Sequence, residues 1–168
     1  MQRNASVFIH GALAGALGAA GMTVLRLLAH RAGWIEAMVP QAVEVWVKDR
    51  SSLTRPRAPA THHVADQLLH LAYGGFWGGV YGLAAPKHPS PARALAFGGA
   101  IWALGSLVLF PALKIARPLW QAKAREELVN VGAHALYGAI ATYMLDELEK
   151  QARHQPLSYR RMLRADVG

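Results

Sequence analysis

The chain contains no cysteine, so it has no disulfide framework and no thiolate metal site. That absence leaves the compartment open. Charge is also scarce: 17% of the 168 residues are Asp, Glu, Lys or Arg, against about 25% in an ordinary soluble domain. No phosphate-binding glycine loop is present, because the glycines between residues 74 and 82 lack both a preceding strand and a following Lys-Ser/Thr. A nucleophile–base–acid set is missing as well. Ser106 stands deep in an apolar run with no base beside it. These gaps argue against an enzyme, and nothing in the sequence requires a cofactor.

What the chain does have is apolar residue in long runs. Hydrophobic residues make up 53% of it, and their bunching indicates a membrane class. A crossing needs about 20 apolar residues, and four stretches approach that length: residues 7–28, 64–85, 94–113 and 128–145. The expected fold is all-α, a four-helix transmembrane bundle forming one domain over residues 1–150, followed by a basic tail over 151–168. The opening run is too long for a signal-peptide core of about 7–15 residues and reads as a retained first helix. Arg26, near its end, can extend its side chain toward the headgroups.

Net charge is +8, carried outside the apolar runs. Anionic lipid explains this charge without nucleic acid. Basic residues are shared almost evenly between the two sides of the predicted bundle, so the positive-inside rule barely orients it. The short basic tail tips the reading to both termini inside. Between the first two runs, Trp34, Ile35, Met38 and Val39, then Val43, Val45, Trp46 and Val47, predict an interfacial amphipathic segment with tryptophans at headgroup level.

Small residues recur at four-residue spacing: Gly11 and Gly15 in the first run, and Gly74, Gly78 and Gly82 in the second. In lipid, such spacing lets helix backbones approach closely. These glycines are expected to be helix-packing positions, within the chain or between copies. The lipid bilayer is therefore the first partner, and a homo-oligomer or larger membrane complex is a further one.

One phrase occurs twice. His70-Leu71-Ala72-Tyr73-Gly74 returns as His134-Ala135-Leu136-Tyr137-Gly138. Each histidine is preceded at four and eight residues by polar groups, Asp66 and His62 in the first copy, Asn130 and Glu126 in the second. Four-residue steps stay on one helix face, so each set is a polar stripe. Leu27–Trp34 and Leu113–Trp120 also correspond loosely, which implies two related helix pairs with an axis along the membrane normal. His70 and His134 would then face each other. Ionisable groups in a membrane mark functional sites by default, and three readings compete. The histidines bond Asp66 or Asn130 and fix helix packing; or they handle protons, since imidazole titrates near neutrality; or His62, Asp66, His70, Glu126 and His134 hold a divalent metal. Haem ligation by His70 and His134 is a fourth, minor reading.

Residues 81–148 resemble the YagU-like family of small bacterial inner-membrane proteins. The matching features are Ala94-Leu95-Ala96-Phe97-Gly98, Phe110-Pro111-Ala112, Trp120, and Glu126 eight residues before His134. The Gly/Ala-rich opening is similar too. The resemblance implies a multi-pass inner-membrane protein with a loose association with acid tolerance, and it brings no established catalytic or binding residues. His62 and Asp66 depart from the family pattern.

Overall fold

The computed structural model describes residues 2–35, 59–84, 88–113 and 123–154, with the side chains of residues 2 and 59–66 left out. Most of the interfacial segment expected after Ile35, the loop around Arg55 and Arg57, Trp120 and the tail beyond His154 lie outside these residues. The described residues form four helices: α1 (Gln2–Arg31), α2 (Pro59–Ala84), α3 (Pro91–Leu113) and α4 (Ala124–His154). Three of them, α1, α3 and α4, are long and apolar enough to cross a membrane. Helix α2 carries the polar positions of the first stripe, and its described part is not among those three. Each helix runs beyond the apolar stretch that announced it, and α4 continues past residue 151, where the tail was expected.

The ends follow local chemistry. Helix α1 closes on Gly33, whose φ of 72° suits glycine. The Gly33 N–H donates to the His30 carbonyl at 3.0 Å and the Trp34 N–H to that of Ala29 at 2.9 Å, the paired bonds of a Schellman close. Helix α3 opens on Ser90, whose hydroxyl accepts from the Arg93 N–H at 3.3 Å, with Pro91 at the first helical position. Glu126 and Glu127 occupy the first turn of α4, and Arg153 and His154 the last, which complements the helix dipole.

Inside α3 the winding changes. Residues Leu104–Leu109 form a π turn, closed by the Phe110 N–H donating to Gly105. Pro111 follows at once. It has no N–H to give the preceding turn, and its ring crowds the carbonyl four residues back. One extra residue in the turn relieves both constraints and leaves Ser106 on the bulge.

Packing rests on small residues. Helix α2 lies antiparallel to α1, α1 to α4, and α4 to α3. A Cβ on Gly78 would lie 2.6 Å from the Gly15 Cα, and one on Gly82 2.9 Å from the Val7 carbonyl oxygen. Backbone meets backbone where Gly11 and Gly15 face Gly74 and Gly78. On the other side, a Cβ on Gly138 would lie 2.8 Å from the Gly98 nitrogen. One contact is alike in the two helix pairs: Ala94 stands against Gly138 as Gly15 stands against Gly74.

The pseudo-repeat breaks at one residue. Gly18 leaves room for the Tyr137 ring, whose Cδ2 lies 2.9 Å from where a Cβ would be. Tyr137 is buried there, and its hydroxyl donates to the Gly74 carbonyl at 2.7 Å. Phe97 occupies the place on α3 that corresponds to Gly18, and it stacks on Tyr81 at 4.3 Å. Tyr73, the counterpart of Tyr137, stays exposed. The α1–α4 seam is therefore closed, whereas α2 and α3 touch only thinly.

The interior is built from Ala14, Ala19, Met22, Ala133, Tyr137 and Ala141, while Leu13, Leu17, Leu69, Phe76, Leu95, Leu107 and Leu128 face outward. Soluble proteins place large apolar side chains inside. The inverted arrangement, small within and large without, is what a lipid solvent selects.

Candidate functional site

The polar cluster lies where the carboxyl-terminal part of α1 meets the amino-terminal part of α4. Asn130 is its hub. The Arg26 guanidinium donates to the Asn130 side-chain oxygen at 3.2 Å. The Asn130 amide donates to the Ser106 hydroxyl and to a Glu127 carboxylate oxygen, both at 3.3 Å. The same Glu127 oxygen accepts from the Trp102 indole at 2.6 Å. Three helices are joined through one amide, and the carboxylate is held by two neutral donors. Arg26 and Glu127 are close enough for their charges to attract. The Arg26 Nε is buried and has no hydrogen-bond partner among the described residues.

Both phrase histidines border this cluster. His134 shares a 2.8 Å hydrogen bond between its Nδ1 and the Asn130 main-chain oxygen, one turn earlier in its own helix. His70 faces the Ala19 carbonyl across the α1–α2 seam. A charge on His70 acts on His134, and Arg26 acts on both. Beside them, the single Thr23 hydroxyl hydrogen is shared between the Ala19 carbonyl at 3.1 Å and the Gln67 side-chain oxygen at 3.2 Å. Each ring thus lies against a main-chain carbonyl, and His134 bonds the Asn130 carbonyl rather than its side chain.

The sequence-predicted residues divide as follows. His70, Asn130 and His134 are brought together. Glu126 stands one residue from the carboxylate that enters the cluster, Glu127; the eight-residue offset pointed at its neighbour. The side chains of His62 and Asp66 lie outside the described residues. Among the described residues no three His, Asp or Glu side chains are placed to share a metal ion. Arg26, Trp102, Ser106 and Glu127 were missed as cluster members. Arg26 carried a signal, a lone cation within an apolar run. Its side chain turns across to α4 instead of extending toward the headgroups. Ser106 carried a subtler one, lying five residues before a helix proline.

The glycines expected to pack helices are where the backbones meet: Gly11 and Gly15 on α1 against Gly74, Gly78 and Gly82 on α2. Gly98 and Gly138 do the same for α3 and α4. Gly99, Gly105 and Gly132 have open space where a Cβ would be.

A second polar contact lies at the far end of the α1–α4 seam. His10 Nδ1 and Glu149 Oε1 are 2.6 Å apart, and both side chains are about three-quarters covered. Against protein-family models, curated proteins and solved structures, the chain finds no match.

Proposed function

We propose that the chain is a multi-pass protein of the bacterial inner membrane that takes up and releases protons at the Arg26–Glu127–Asn130 cluster, with His70 and His134 as the titrating groups. One observation carries the reading: an arginine, a glutamate and two imidazoles gather inside helices whose outer surface is leucine, valine and phenylalanine. Charged groups in hydrocarbon cost about 2.5–3.5 kcal/mol each on insertion scales. Satisfying a helix interface takes far less than such a set. Helices α2 and α3 touch only thinly, which gives the bundle a side on which helices can part. The resemblance to the YagU-like family belongs to this proposal and agrees with an inner-membrane location.

The test is proton flux. Purified protein is reconstituted into vesicles carrying a pH-sensitive dye, and an imposed gradient is followed. Wild type is expected to dissipate the gradient faster than empty vesicles. His70→Ala and His134→Ala should each return the rate to that of the empty vesicles, with unchanged detergent stability. Equal rates for wild type and empty vesicles would sink the reading.

A second reading is favoured by the main-chain bond of His134 and by the free glycine faces of α3 and α4. On that reading the cluster is a structural clamp, and the protein is a non-catalytic subunit packed against other membrane proteins. It predicts co-purifying partners under mild detergent, and histidine variants that lose stability with no flux to lose. Metal analysis of the same sample tests whether His62 and Asp66 complete a metal site with His70 and His134.

A further inference from the structure

We propose that the end of α3 beyond Ala103 is an arm hinged at the π turn, that the Ser106–Asn130 hydrogen bond pins it closed, and that its opening loosens the Arg26–Glu127–Asn130 cluster. The inference rests on the geometry of that cluster and not on its carrying protons.

Helix α3 holds to the bundle over only part of its length. Between Pro91 and Ala103 it packs on α4 and buries Ala94, Gly98 and Ile101. From Leu104 to Leu113 it buries no residue. Two glycines mark the parting. A Cβ on Gly98 would lie 2.9 Å from the His134 carbonyl carbon. Seven residues on, near the same face of the helix, a Cβ on Gly105 would meet nothing within 4 Å. Among the described residues, α3 beyond Ala103 makes only thin contact with any other helix.

The backbone is weakest where the helix parts from α4. There the hydrogen-bond ladder is widened by one residue, with the Phe110 N–H reaching back to the Gly105 carbonyl. The next N–H in line is missing, because residue 111 is proline. A π turn and a proline are each a recognised cause of a helix bend, and here they adjoin. A change of angle at this turn breaks fewer backbone bonds than it would elsewhere in α3.

What holds the arm is a side chain. Ser106 stands in the π turn and accepts from the Asn130 amide at 3.3 Å. Four residues earlier, the Trp102 indole donates to Glu127 at 2.6 Å, which fixes the end of the packed part. The pin belongs to the cluster as well. The amide that donates to Ser106 also donates to Glu127 and accepts from Arg26. With the arm closed, Asn130 is held from three helices' worth of partners. With the arm open, it keeps only Arg26 and Glu127 and is free to turn between them. The position of the arm therefore sets how firmly the guanidinium and the carboxylate are bridged. The coupling runs both ways: a change at the cluster that draws Asn130 from Ser106 releases the arm. The closed form, with its pin made, predominates.

The chain has no cysteine, so spin labels can be placed singly in the full chain and their distances read in lipid. One pair, Val108→Cys with Val131→Cys, spans the arm and α4. A second, Leu95→Cys with Met144→Cys, spans the packed part of the same two helices. All four positions are exposed. The packed pair should give one narrow distance. The arm pair should give a main short distance and a minor longer one. Ser106→Ala removes the pin and should raise the longer component roughly fivefold relative to the shorter, about what one net hydrogen bond is worth. Ser106→Thr keeps a hydroxyl and should hold the wild-type ratio. Pro111→Ala returns the missing N–H and should remove the longer component. An unchanged packed-pair distance separates a freed arm from a lost fold. The proposal is overturned if the wild-type arm pair is as narrow as the packed pair and Ser106→Ala leaves it so, or if the alanine and threonine variants shift the ratio equally. Should Ser106→Ala disturb the packed pair, Pro111→Ala decides alone: a longer component that survives it overturns the hinge.

Discussion

Tyr137 and Glu127 do different work although they lie about three turns apart on one helix. The Tyr137 hydroxyl donates to a carbonyl that is already inside a helix, that of Gly74. Removing it strands nothing, so Tyr137→Phe should cost only about 0.5–1 kcal/mol. Glu127 is another matter. Its carboxylate offsets Arg26 and receives the Trp102 indole. Glu127→Gln would leave a cation half-buried in an apolar bundle with no counter-charge at that position. We expect a loss of about 2 kcal/mol, because Arg26 and Glu127 are linked through Asn130 rather than in direct contact, and the carboxylate that changes accepts from both Trp102 and Asn130. Thermal unfolding in detergent should rank the two variants in that order. Comparable losses would mean that the charge pair is already neutralised by water. The glutamate that matters was not legible from the stripe alone. Spacing selects a helix face to within one residue, and Glu126 and Glu127 both lie near the right edge of it; which one turns inward depends on where α3 places Trp102.

At the scale of the helix, glycine alone does not mean contact. Gly78 and Gly99 lie on neighbouring apolar helices and look alike in sequence. A Cβ on Gly78 meets the backbone of Gly15 at 2.6 Å, and one on Gly99 meets nothing within 4 Å. Backbone cannot yield as a side-chain tip does. Gly78→Leu should therefore cost more than the about 1–3 kcal/mol of ordinary overpacking and separate α1 from α2, whereas Gly99→Leu should leave the monomer intact. Detergent stability of the two variants checks this, and the sense of the comparison would have to reverse for the seam to be misplaced. The α1–α2 seam was readable because three glycines at four-residue spacing in one helix met two in another, and close approach in lipid needs both partners. The π turn of α3 was not readable beyond a bend at Pro111. How a helix accommodates a proline, by kinking or by an added residue, is decided by what lies against it. Here that is Asn130, which reaches Ser106 at 3.3 Å on the bulge.

The molecule as a whole wears its large apolar side chains outside. The four-run pattern made the all-helical architecture legible, and the repeated histidine phrase marked comparable places on α2 and α4. The difference between the halves was hidden in Gly18 and Phe97, residues with no polar signature, yet it decides that the α1–α4 seam closes and the α2–α3 seam does not. An inverted surface has a direct consequence. In a bilayer, Leu13, Phe76, Leu107 and Met144 face hydrocarbon, where a membrane-impermeant thiol reagent cannot follow and where a thiol stays un-ionised and unreactive. Single cysteines at these four positions should resist such a reagent in intact membranes and react with a lipid-soluble one. Cysteines at Arg3 and Gln151, at the polar ends of α1 and α4, should react readily once both membrane faces are opened. Leu104 and Ala139, partly covered within the bundle, should resist as well. Rapid aqueous labelling at Leu104 or Ala139 would put water where the inside-out packing leaves none, and the membrane-embedded bundle would have to be abandoned.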